Sequence, residues 1–158
     1  MTGTSQDPAL TLGAEEQAVL GPELEALTAA AVGPRRDEYQ ALAEAVAAGQ
    51  VPADRVGTLE GVVAMLLETG RARRRHTAEG ERILTDLFRR TPAGREVVRH
   101  LEDVNRALGA LAGRTLLGVT VAMRTLGHFT VALEAEGAAI TLAVRPGGVV
   151  VDSVAIGG

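Results

Sequence analysis

Cysteine, lysine and tryptophan are all missing from this 158-residue chain. Without cysteine there is no disulfide, no thiolate metal ligand and no thiol nucleophile. Without lysine, all 16 basic residues are arginine. Together with the wealth of Ala and Gly, this reads as a compositional bias, so arginine by itself is no signature of phosphate recognition. Aromatic residues are nearly absent too, with only Tyr39, Phe88 and Phe129. The core therefore has to come from Leu, Val and Ala, whose smaller side chains each remove less area from water. The longest strictly apolar run, Val62 to Leu67, is far too short to cross a bilayer. Met1 to Leu12 lacks the basic start and apolar centre of a signal peptide. These features predict a cytoplasmic protein. The length suits one domain that buries roughly two-thirds of its unfolded surface.

The strongest pattern in the chain lies between Leu116 and Ile156. Val119, Val121 and Met123 alternate with Thr120, Ala122 and Arg124. Phe129, Val131 and Leu133 alternate with Thr130, Ala132 and Glu134, and Ile140, Leu142 and Val144 with Thr141, Ala143 and Arg145. Period-2 alternation over three successive runs predicts an antiparallel meander with one apolar face. A loop at Thr125-Leu126-Gly127 with a left-handed Gly127 sets Met123 opposite Phe129 and Val121 opposite Val131. A two-residue turn at Glu136-Gly137 sets Leu133 opposite Ile140 and Val131 opposite Leu142. Both registers gather the large apolar side chains on one face, and a one-residue slip would scatter them. The last strand is ambiguous. A two-residue Pro146-Gly147 turn faces Val149, Val151 and Ser153 inward, whereas a three-residue loop including Gly148 faces Val150, Asp152, Val154 and Ile156 inward. Either way, branched apolar residues remain on both faces of an edge strand, which points to pairing with a second chain.

Upstream, residues 1–13 are polar and aperiodic and predict a disordered tail. Pro22 with Gly33, and Pro34 with Gly49, bracket two helices, with an earlier turn around Glu15 to Leu20. A third helix runs from about Pro52 to Thr69 and carries Leu59, Val62, Val63, Leu66 and Leu67. Thr77 reads as the N-cap of a fourth helix, which extends to about Arg90. Thr91-Pro92 starts a fifth, with a seam of Val97, Leu101, Val104, Leu108 and Leu111 that ends at Gly113. The predicted fold is α+β: a single domain over residues 14–158 with four to five helices over about 14–113. They pack on a three- to four-stranded antiparallel meander over about 115–156.

Charge is uneven. Residues 1–70 hold 3 Arg against 11 acidic residues, and residues 71–114 hold 11 Arg against 6. The basic run Arg71, Arg73, Arg74, Arg75 and His76 is the candidate ligand-binding feature, for phosphate in a nucleotide or nucleic acid. Against that reading stand the acidic total of −4, the scarcity of stacking aromatics and the lack of any nucleic-acid module. A solvated run, or one paired with acids such as Glu60 and Glu68, accounts for it more simply. Glu96, His100 and Asp103 share one helix strip and have metal-ligand spacing, but Arg95, Arg99 and Arg106 beside them would repel a cation. His76 with Glu79 is a weaker pair, and His128 has no evident partner. No nucleophile, phosphate loop or convergent carboxylate pair emerges, so no catalytic residue, metal or cofactor is assigned.

The reading that results is a non-enzymatic interaction or assembly module that self-associates, as a homodimer, with an unidentified protein as a further partner. Nucleic acid and membrane are not expected partners. The alternatives are a phosphate- or nucleic-acid-binding regulator built on Arg71 to Arg75, and a small enzyme whose site is unrecognised.

Overall fold

A computed structural model describes residues 9–157, and the first eight residues of the predicted tail lie outside that range. The fold is α+β, with five helices followed by a four-stranded antiparallel sheet. The chain groups into two compact units, Met1–Gly94 and Arg95–Gly158.

The first unit is helical: α1 (Ala14–Ala30), α2 (Pro34–Ala47), α3 (Ala53–Glu68) and α4 (Arg71–Arg90). α1 packs on α2 and α4, and α3 packs on α2 and α4. Leu20, Leu24, Leu42, Leu59, Leu66, Leu84 and Leu87 are fully buried among them. Part of the predicted tail is regular structure. Leu10–Thr11 forms β1, which pairs antiparallel with β2 (Gln50–Val51). Leu10, Leu12 and Val51 enter the helical core, and their burial is what anchors this segment. The Leu12 amide also donates to the Gly49 carbonyl at 2.9 Å, across a left-handed Gly49.

Two helix limits also differ from expectation. Pro22 does not open a helix but lies inside α1. Proline removes one backbone donor there, yet the helix continues because Val19, Leu20, Glu23 and Leu24 are buried on both sides of it. α4 begins at Arg71, so the basic run is itself helical, and α4 joins two helices across a kink at Thr77, where the predicted fourth helix starts. Thr77 interrupts it with φ 63° and ψ −173°.

In the second unit, α5 (Pro92–Gly109), which starts at the end of the first, leads into β3 (Leu116–Thr125), β4 (His128–Ala135), β5 (Ala138–Arg145) and β6 (Gly148–Ile156). The strands are ordered β3-β4-β5-β6. The registers follow the alternation: Met123 faces Phe129, Val121 faces Val131, Leu133 faces Ile140 and Val131 faces Leu142. Gly127 and Gly137 both take the left-handed conformation that their turns require.

The ambiguity of the last strand resolves through a bulge. Val149 pairs with Val144 and Val151 with Leu142, as a two-residue turn demands. Asp152 is then left over, and Ser153 pairs with Thr141 and Val154 with Ile140. Each candidate inward set is thus used in part, Val149 and Val151 before the bulge and Val154 and Ile156 after it.

The C-terminal half of the α5 seam covers the inward face. Val104, Ile140 and Leu142 are buried, with Ala107, Leu108, Leu111, Val131, Leu133, Val149 and Val151 packed around them. Leu142→Ala should therefore cost about 2–5 kcal/mol, and Thr141→Ala on the opposite face less than about 1. Urea unfolding of the two variants checks this, and equal losses would mean that the faces are exchanged.

Candidate functional site

Two features stand out: a buried ion cluster in the first unit and an uncovered apolar strip in the second.

The cluster centres on Glu23 of α1, whose side chain is fully buried. Arg71 donates from Nε to Glu23 Oε2 at 2.6 Å, and His76 Nε2 lies 2.9 Å from Glu23 Oε1. Arg75 adds a second guanidinium 3.7 Å from Oε1. Arg75 and His76 lie about one turn beyond Arg71 on α4, four and five residues on, so the first turns of α4 deliver all three. Burial pushes the Glu23 carboxyl up. The hydrogen bonds from His76 and Arg71, with the charges of Arg71 and Arg75, outweigh burial and hold it below the usual carboxylate range.

Two backbone features sit beside this cluster. Thr77, immediately after His76, is the one non-glycine residue with positive φ among the described residues. Its conformation is almost exclusive to glycine, and holding it there costs on the order of 1–3 kcal/mol. At Gly80, a Cβ would come within 2.2 Å of the His76 Cβ, so only glycine leaves the imidazole room to reach Glu23.

The candidate ligand-binding residues are therefore divided. Arg71, Arg75 and His76 converge on Glu23. Arg73 points elsewhere, 3.8 Å from Glu81, and Arg74 is exposed. Glu60 does not serve the run, because it accepts the Ala93 amide at 2.8 Å. Sequence reasoning missed Glu23. Its signal was positional, since it occupies the same stripe as Val19, Leu20, Leu24 and Leu27, where a carboxylate has to bring its own partners. With Glu23 sealed from solvent and its oxygens engaged, the cluster joins α1 to α4 and presents no open carboxylate for acid–base work.

The other proposed pairs are ordinary surface contacts. His100 lies 3.9 Å from Glu96, whereas Asp103 pairs with Arg106 at 2.9 Å. Glu79 pairs with Arg82 at 2.6 Å instead of with His76. His128 Nδ1 lies 3.3 Å from its own turn's Leu126 carbonyl. Among the described residues no three metal-ligating side chains come together, and no buried side-chain polar atom lacks a partner. No described helix is long and apolar enough to cross a membrane.

The strip lies on the same sheet face as α5, beyond its cover. Val119 is 53% exposed, Val121 and Met123 64% each, and Phe129 37%. At one end of the strip, Leu116 and Leu117 are exposed as well. Apart from Val32, every exposed large hydrophobic residue described belongs to the second unit. Contiguous apolar surface of this kind marks an interaction site more often than not. No protein-family model matches the chain, and neither the curated proteins nor the solved structures contain a significant match.

Proposed function

We propose that the chain is a non-enzymatic assembly module that self-associates through its sheet. The observation that supports this reading is the uncovered strip of Val119, Val121, Met123 and Phe129. Three of those four side chains point from β3, which is charge-free between Gly118 and Met123. A surface without charge selects a partner by shape and apolarity, and a second copy of the same strip supplies both. Isologous pairs of this type are the commonest oligomers. The phosphate-binding alternative draws less support, because Arg71, Arg75 and His76 are already engaged by Glu23.

Light scattering coupled to size exclusion tests the reading. At micromolar concentration the wild type should run at twice the chain mass of 16.4 kDa. Val121→Arg, which places a charge in the middle of the strip, should shift the protein to the monomer mass with its helical content unchanged. A wild type that stays at 16.4 kDa across the concentration range would end the proposal.

A further inference from the structure

The sheet has two edge strands, β3 and β6, and they differ in how they are protected. β6 carries a bulge at its centre, where Asp152 has no partner across the ladder. Bulges and charged residues are the usual devices that keep an edge from pairing with another chain. The irregularities of β3 lie at its ends instead, at Leu117 and Arg124. Between them, Gly118 to Met123 forms an unbroken ladder with β4, and it contains no charge and no proline. An unbroken, uncharged segment of that length without proline is what one sheet edge offers another.

We propose that two copies join by antiparallel pairing of β3 with β3 across a two-fold axis, making one continuous eight-stranded sheet. This rests on the self-association reading above and adds the edge and the register. In an antiparallel pair, facing residues share a side of the sheet. In a symmetric β3 pair the numbers of two facing residues add to a constant. Only an even constant keeps Val119, Val121 and Met123 of both copies on one face. The overlap of the two strands is greatest when the axis passes near the middle of Leu116–Thr125. The even registers closest to that middle place either Thr120 or Val121 on the axis. With Val121 there, Val121 meets its own counterpart, Val119 meets Met123, and Gly118 meets Arg124. Neither register sets the two Arg124 side chains against each other, so no like-charge contact opposes it.

The absence of cysteine makes the test direct. Single-cysteine variants at each position from Gly118 to Met123, at Phe129, and at Val150 and Val151 are treated with a mild oxidant. Dimer yield is read on a non-reducing gel. A disulfide needs Cα atoms about 4.4–6.8 Å apart, and the counterpart of a residue one step off a two-fold axis lies roughly 8 Å away, so only the residue on the axis links efficiently to itself. The expected result is a sharp maximum at Thr120→Cys or Val121→Cys, several-fold above the positions two residues away. A maximum at Val150 or Val151 would overturn the choice of edge. Comparable yields at Val119, Val121, Met123 and Phe129 would mean that the faces stack and the edges do not pair. Both of those results leave self-association standing, whereas a monomeric wild type in light scattering removes it, so the two failures are distinguishable.

Discussion

The Gly94→Ala variant should lose about 3 kcal/mol of stability, near the upper end of what overpacking costs. At the corner between α4 and α5, a Cβ on Gly94 would stand 1.7 Å from the Phe88 carbonyl oxygen and 2.9 Å from the Arg89 Cα. These are backbone atoms and cannot swing aside. The corner is also fixed by hydrogen bonds. The fully buried Thr91 donates from Oγ1 to the Phe88 carbonyl at 2.7 Å and accepts the Gly94 amide at 3.2 Å. Relieving the collision would therefore break an N-cap as well as move a helix. Thermal melting should show a fall in Tm on the order of 10 °C. Gly61→Ala is the control: it lies inside α3, and its Cβ would meet nothing within 4 Å. That substitution should stabilise the protein by about 0.5–1 kcal/mol through helix propensity alone. If the two alanines behave alike, the corner is looser than its geometry implies.

The second large effect is expected at the buried cluster. Arg71→Met should cost about 2–3 kcal/mol at neutral pH. Breaking a fully buried pair costs about 3–5, and Arg71 keeps a third of its side chain in water. Glu23→Gln should cost less, because the cations it releases can turn outward, whereas Glu23 has nowhere to go. The dependence on pH separates the two. In the wild type the Glu23 carboxyl is held below its ordinary value of 4.5. Its contribution to stability is therefore present above that value and is lost as pH falls through the folded pKa. In Arg71→Met a main lowering influence is gone while burial remains, so the carboxyl titrates at higher pH. The deficit of Arg71→Met against wild type should be largest near pH 7 and shrink toward pH 4, as read from urea midpoints. A deficit that stays constant over that range would show that Arg71 acts through packing and not through Glu23.

The sheet was legible in the sequence because local rules settle it. Alternation defines the face, and Gly127 and Gly137 define the turns, so the pairing of β3, β4 and β5 follows from residues close together in the chain. The bulge in β6 was not legible, because an extra residue has no composition of its own and shows only against its partner strand. Pro22 misled for a related reason. A helix-boundary rule describes an isolated segment, and the burial of Leu20 and Leu24 overrides it. The Glu23 cluster lay beyond local rules altogether. Arg71 stands 48 residues away from Glu23, and nothing in either neighbourhood specifies the other. The basic run was visible as a feature, but its use depended on which face of α4 met α1.

The bulge in β6 has a consequence for how this chain tolerates length changes. Deleting one residue from a strand normally inverts every side chain beyond the cut and empties the core. In β6 the ladder already skips Asp152, with Val151 opposite Leu142 and Ser153 opposite the next residue back, Thr141. A chain one residue shorter at that point would run Val149, Val151, Val154 and Ile156 along one face with no interruption. The C-terminal strand thus holds a site where the deletion of a single residue is a small geometric step, and Asp152 marks it.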